Sequence, residues 1–178
     1  CLGCLGVFKY AGFFAGLIHG GPAWRLLLPV GISFYTFQAL SYVLDVYRGR
    51  TAPEGHFGYY ALFISFFPQL VAGPIERSGR LLPQLRRERT LSREQLSAGG
   101  WLLLTGYFKK AAIADGLAPL VDAVYAAPGQ AAGPEIIAAT ALFGLQIYCD
   151  FSGYSDIARG AAGLLGVELM ENFQAPYA

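Results

Sequence analysis

Charge is scarce in this 178-residue chain: 14 % of its residues are Asp, Glu, Lys or Arg, where soluble domains carry about 25 %. An ordinary water-facing surface is excluded over most of its length, and a mean hydropathy of +0.42 points the same way. Thirteen basic residues against twelve acidic ones leave a net charge of +1. That removes the concentrated basic footprint a nucleic-acid partner needs. Cysteine is limited to Cys1, Cys4 and Cys149, an odd count that builds no disulfide framework and fits buried free thiols. Cys1 and Cys4 have neither a second pair nor a histidine to complete a zinc site. The two histidines, His19 and His56, fit no catalytic arrangement and are expected to be solvated. There is no P-loop, no H-E-x-x-H and no metal cluster. Gly153-Tyr-Ser155 lacks the second glycine of a nucleophile elbow, and Gly160-x-x-Gly163-x-x-Gly166 is a packing pattern rather than a dinucleotide fingerprint.

The few charges are concentrated. Residues 76–94 hold six Arg and three Glu, leaving 16 formal charges for the other 159 residues. With no aromatic interleaved, this stretch offers no base-stacking platform. It reads as a juxtamembrane loop, cytoplasmic by its arginine excess. The remainder reads as membrane. Residues 26–46 form the cleanest span, since about 20 apolar residues cross a hydrocarbon core of about 30 Å. Residues 2–20 are similar, and Gly12, Gly16 and Gly20 form a small-residue stripe that predicts close helix packing. Residues 57–75 contain Pro68, Gly73 and Pro74, which predict a kinked or re-entrant element. In 98–126, Lys109 and Lys110 follow three apolar turns, and two short helices with lysines snorkelling to water are expected. The whole of 1–178 reads as one all-α membrane domain, a piece of a longer chain.

The most informative polarity lies between Gln146 and Arg159. A carboxylate at the centre of a membrane helix costs roughly 2.5–3.5 kcal/mol on insertion scales, so Asp150 and Asp156 must face protein or water. On a continuous helix Gln146, Asp150 and Tyr154 share one face. They either order the bundle or line a substrate tunnel. Asp156 lies around the helix from them, placed to form a structural pair with Arg159 at i+3.

Five stretches, residues 31–48 (GISFYTFQALSYVLDVYR), 67–77 (FPQLVAGPIER), 106–115 (GYFKKAAIAD), 146–156 (QIYCDFSGYSD) and 171–177 (ENFQAPY), together resemble the membrane-bound O-acyltransferase family. Nearly the whole chain is covered in the family's order. Cys149 stands where an aromatic is expected, a departure that touches packing more than chemistry. The resemblance implies a polytopic transmembrane helix bundle with broken helices, multi-pass in the bacterial inner membrane. It also implies transfer of an acyl group, acetyl in the alginate-type branch, from a cytoplasmic-side donor to hydroxyls of an exported polysaccharide or to a periplasmic acetyltransferase partner. No bound cofactor is implied, and the donor, acetyl-CoA or an acyl carrier, is left open. The family's catalytic histidine belongs to a Trp-His element expected beyond Ala178, so no catalytic residue is assigned within the chain. Gln38, Gln69, Gln146, Asp150, Tyr154 and Asn172 are the candidates for a tunnel wall. D-Alanyl transfer to teichoic acid, secondary transport and a non-catalytic membrane scaffold are the competing readings.

Overall fold

A computed structural model of the chain describes residues 2–19, 29, 31–70 and 73–173. The regular structure among them is helical: α1 (Leu2–His19), α2 (Ile32–Tyr47), α3 (Phe57–Ser65), α4 (Phe67–Leu70), α5 (Ser78–Arg86), α6 (Arg93–Tyr107), a π-helical segment (Phe108–Ala114), α7 (Asp115–Ala126) and α8 (Gly133–Leu164). They divide into two compact units, one of Cys1–Val71 with Ile75–Glu88, the other of Ala72–Pro74 with Arg89–Ala178.

In the first unit, Gly31 decides where α2 begins. Its φ is +75°, and a Cβ there would lie 2.4 Å from the Leu70 carbonyl oxygen, so any larger residue would be both strained and in collision. The span expected over 26–46 is therefore realised as a 16-residue helix, about 24 Å long; residues 26–28 and 30 lie outside the described residues. Its other end is a Schellman turn: Arg50 N donates to Asp45 O at 2.8 Å and Gly49 N to Val46 O at 3.0 Å, with Gly49 at φ +68°.

The kink predicted in 57–75 is present. Phe66 is extended at ψ 101°, which ends α3, and the single turn of α4 follows with Pro68 in its first positions, where a missing donor costs least. The stretch 76–94 departs from the expected loop. Ser78–Arg86 is helical, with Ser78, Leu81, Leu82 and Leu85 buried and the arginines outside. Spacing at three and four residues gives this charged sequence one apolar face, a period masked by its arginine content.

Of the small-residue stripe, only Gly16 is open to comparison. A Cβ on Gly16 would meet nothing within 4 Å, and Gly20 lies outside the described residues. Close packing occurs in the second unit instead, where α6 and α8 run antiparallel. A Cβ at Gly106 would lie 2.7 Å from Gly153 O, and one at Gly160 would lie 2.7 Å from Gly99 O. Each helix thus presents two glycines seven residues apart, and the backbones meet at two points about 10 Å apart along the axis.

Residues 98–126 do not form two separate helices meeting at an interface. α6, the π segment and α7 follow one another without a break, and the junction is an i+5 bond from Asp115 N to Lys110 O. α6 starts in a capping box between Ser92 and Gln95. α8 starts with Pro134 in its first turn and with Glu135 accepting from Ala132 N at 2.9 Å. It ends in a second Schellman turn at Gly166, φ +72°, where Val167 N reaches Ala162 O at 2.9 Å. Gly166 thus terminates the helix, while Gly160 packs. Among the described residues α8 alone is long and apolar enough to cross a membrane by length and composition, with a mean hydropathy of 1.3 in its most apolar window.

Candidate functional site

Each unit holds a cluster of the polar residues singled out from sequence. In the first, the break between α3 and α4 leaves the Phe63 carbonyl without its helical donor, because Phe66 has left the helix. Two side-chain amides take that place: Gln38 Nε2 donates to Phe63 O at 2.9 Å and Gln69 Nε2 at 3.2 Å. Both glutamines are buried, and Gln69 Oε1 has no hydrogen-bond partner. Gln38 is held there by α2, whose Tyr42 packs on Phe63 with ring centroids 6.2 Å apart.

The second cluster lies where the π segment meets α8. An extra residue in the helical turn re-aims the side chains that follow it, and here both lysines turn toward carboxylates rather than snorkelling to water. Lys109 Nζ lies 2.6 Å from Asp156 Oδ2. Lys110 Nζ lies 2.7 Å from Asp150 Oδ1 and 2.8 Å from Asp115 Oδ1, and 5.5 Å from the centre of the Tyr154 ring. Adjacent lysines thereby serve aspartates six residues apart on α8. The close approach at Gly106 and Gly153 makes these reaches short.

The expected Asp156–Arg159 pair has its charged atoms 3.7 Å apart, and Arg159 also reaches Glu171 Oε1 at 3.2 Å. That second bond draws the segment after α8 back along the helix. Phe173 then packs edge-on against Tyr148 and Phe151, with centroids 6.0 and 5.5 Å away. Asn172 sits between these two anchors and is exposed. Gln146 Oε1 is buried without a hydrogen-bond partner, as are the hydroxyls of Ser152 and Ser155. Cys149 is a buried free thiol. His56 is exposed and caps α3 by accepting from Gly58 N at 3.1 Å; the side chain of His19 lies outside the described residues. Three or more metal-ligating side chains come together nowhere among the described residues.

Lys109 and Lys110 are the residues sequence reasoning misassigned. The signal was available: two cations in apolar sequence and two intramembrane-type carboxylates further on each need a partner, and each supplies the other's.

No family model matches the chain. Over 97 % of its length it is 38 % identical to a protein named probable alginate O-acetylase AlgI from Azotobacter vinelandii. It is a homologue of part of that protein. A peptidoglycan O-acetyltransferase of Helicobacter pylori is 32 % identical over 97 % of the chain. A teichoic acid D-alanyltransferase of Streptococcus thermophilus is 26 % identical over 85 %. The chain spans 36 % of the Azotobacter protein and 39 % of the Helicobacter one. The aligned region contains both polar clusters.

Proposed function

We propose that this chain is part of a membrane-embedded O-acyltransferase that transfers acetyl groups to hydroxyls of an exported polysaccharide. The observation that carries this reading is similarity to polysaccharide O-acetylating proteins along 97 % of the chain. The chemistry asks for an acceptor hydroxyl whose oxygen attacks the acyl carbonyl, a base that takes its proton, and a donor fragment that departs. We assign that base to no residue of this chain.

What this region contributes is support and lining. The bundle is multi-pass in a bacterial inner membrane, 1–178 forming one part of it, with the donor on the cytoplasmic side and the polysaccharide, or a periplasmic acetyltransferase, receiving the group. In this reading the Lys110–Asp150–Tyr154 contacts hold one wall of the acyl path in position. Gln146 Oε1, buried and unpaired, is the wall atom best suited to accept a hydrogen bond from an acceptor hydroxyl. Gln38 and Gln69 hold the broken helix open on their side, and the exposed Asn172 offers its amide at the edge of the wall. D-Alanyl transfer would use the same support with a different acyl group, and the more distant teichoic acid relative makes it the second reading.

The test is acyl transfer by the full-length protein carrying Asp150→Ala, measured as acetyl content of the exported polysaccharide at matched protein level. A large fall is expected, and Gln146→Leu is expected to lower transfer with less effect on folding. Full activity in both variants would sink the assignment of this wall.

A further inference from the structure

The end of α2 and the start of α5 enclose a cleft that the acyl-transfer reading does not use. Its volume is about 320 Å³, and its walls include Phe37, Leu40, Leu44, Arg48, Arg50 and Arg77. A second cleft of about 260 Å³ shares Asp45, Arg50 and Arg77 and adds Thr51, Gly79 and Arg80. Four arginines and one carboxylate, Asp45, therefore line the two clefts, and among the described residues Asp45 pairs with Arg50, at 4.0 Å.

Cationic side chains gathered around one opening give it a positive potential that favours an anion. The backbone here is fixed. The Schellman turn at Gly49 sets Arg48 and Arg50, and Arg77 is the residue before the first turn of α5. That first turn has no acidic residue and no side-chain cap, so its N–H groups add the positive end of the helix dipole to the same space. Thr51 Oγ1 stands 3.5 Å from where a Cβ on Gly79 would be, placing a hydroxyl beside the opening. The opposite wall is apolar, with Phe37 half exposed and Leu44 exposed.

We propose that this cleft binds a phosphate group, with the arginine guanidinium forks as its ligands. The phosphate comes from one of two sources, the headgroup of an anionic membrane lipid whose tails run along Phe37, Leu40 and Leu44, or a soluble phosphate compound. The inference is independent of acyl transfer, because its readout is binding.

The experiment uses the full-length protein in nanodiscs of phosphatidylcholine, with and without phosphatidic acid, and in phosphatidylcholine nanodiscs titrated with pyrophosphate. Thermal stability and native mass spectrometry report binding. Phosphatidic acid binding alone identifies the lipid source, and pyrophosphate binding of similar strength identifies the soluble one; either supports the site. Arg50→Gln with Arg77→Gln is expected to weaken the bound probe at least tenfold, and R48Q or R80Q singly to weaken it less. Arg87→Gln, on a residue outside both clefts, is expected to leave it unchanged. Binding of neither probe overturns the proposal. So does binding that survives R50Q/R77Q, or R48Q/R80Q should the first pair not fold.

Discussion

Gln38 Nε2 donates to the carbonyl oxygen of Phe63 at 2.9 Å, linking α2 to the last turn of α3 across 25 residues of sequence. With Gln69 on the same oxygen at 3.2 Å, the broken helix end is satisfied by side chains instead of backbone. A break of this kind persists at membrane depth only where protein supplies the partners.

Gln38→Leu is accordingly expected to destabilise the protein by about 1–3 kcal/mol, the cost of an under-satisfied buried group. Gln69→Leu alone is expected to cost less, its bond being longer. The double variant should depart from additivity, because both amides serve one acceptor. Thermal unfolding of the four proteins in one detergent checks this; strict additivity would show that the shared oxygen does not couple them.

Helix contact between α6 and α8 depends on glycine at specific places. Gly106→Val puts a Cβ 2.7 Å from Gly153 O and 2.8 Å from Ile157 N, both backbone atoms that cannot turn aside. Overpacking of this kind costs about 1–3 kcal/mol or more. Gly144→Ala, on the same α8 but with nothing within 4 Å of the new Cβ, is expected to be neutral or slightly stabilising through helix propensity. Equal melting temperatures for the two variants would contradict the close approach.

The loop before α3 carries a pH-dependent contribution. Glu54 accepts from His56 N at 3.0 Å and pairs with Arg86. Those two interactions, the backbone bond foremost, hold its carboxyl below the usual glutamate value. A group whose folded pKa is depressed adds stability that is fully present above its unfolded pKa, about 4.3, and is lost as pH falls through the folded value. The melting temperature of the parent protein should exceed that of Glu54→Gln at pH 7, and the gap should close below pH 4. A gap that stays constant down to pH 3 would remove Glu54 as its source.

Helical class and the broken helix were legible because Pro68 and the apolar runs act locally. Partner choice was not. Lys109 and Lys110 read as snorkelling residues because Asp156 and Asp150, their partners on α8, lie 47 and 40 residues away in sequence, and a π turn re-aims them. The stripe at Gly12 and Gly16 and the pairs at Gly99, Gly106, Gly153 and Gly160 look alike in sequence. Only the register of two antiparallel helices decides which glycines meet backbone. Gln38 and Gln69 were identifiable as polar groups in apolar sequence, but their convergence on Phe63 depends on Phe66 leaving the helix one turn early.

The Lys109–Asp156 contact at 2.6 Å offers the sharpest test of that register. Asp156→Ala strands the Lys109 charge, and Lys109→Ala leaves Asp156 with Arg159 at 3.7 Å, so the first substitution is expected to be the more damaging. Both side chains are partly exposed, at 32 % and 14 %, which keeps the cost below the 3–5 kcal/mol typical of breaking a fully buried pair. Exchanging the two residues, Lys109→Asp with Asp156→Lys, is expected to recover only part of the loss. The new lysine at 156 would face Arg159 on its own helix, a like-charge repulsion the original arrangement avoids. A double-mutant cycle by thermal unfolding should therefore give a coupling of about 0.5–3 kcal/mol, whereas a coupling near zero would mean that the π segment does not bring Lys109 to α8.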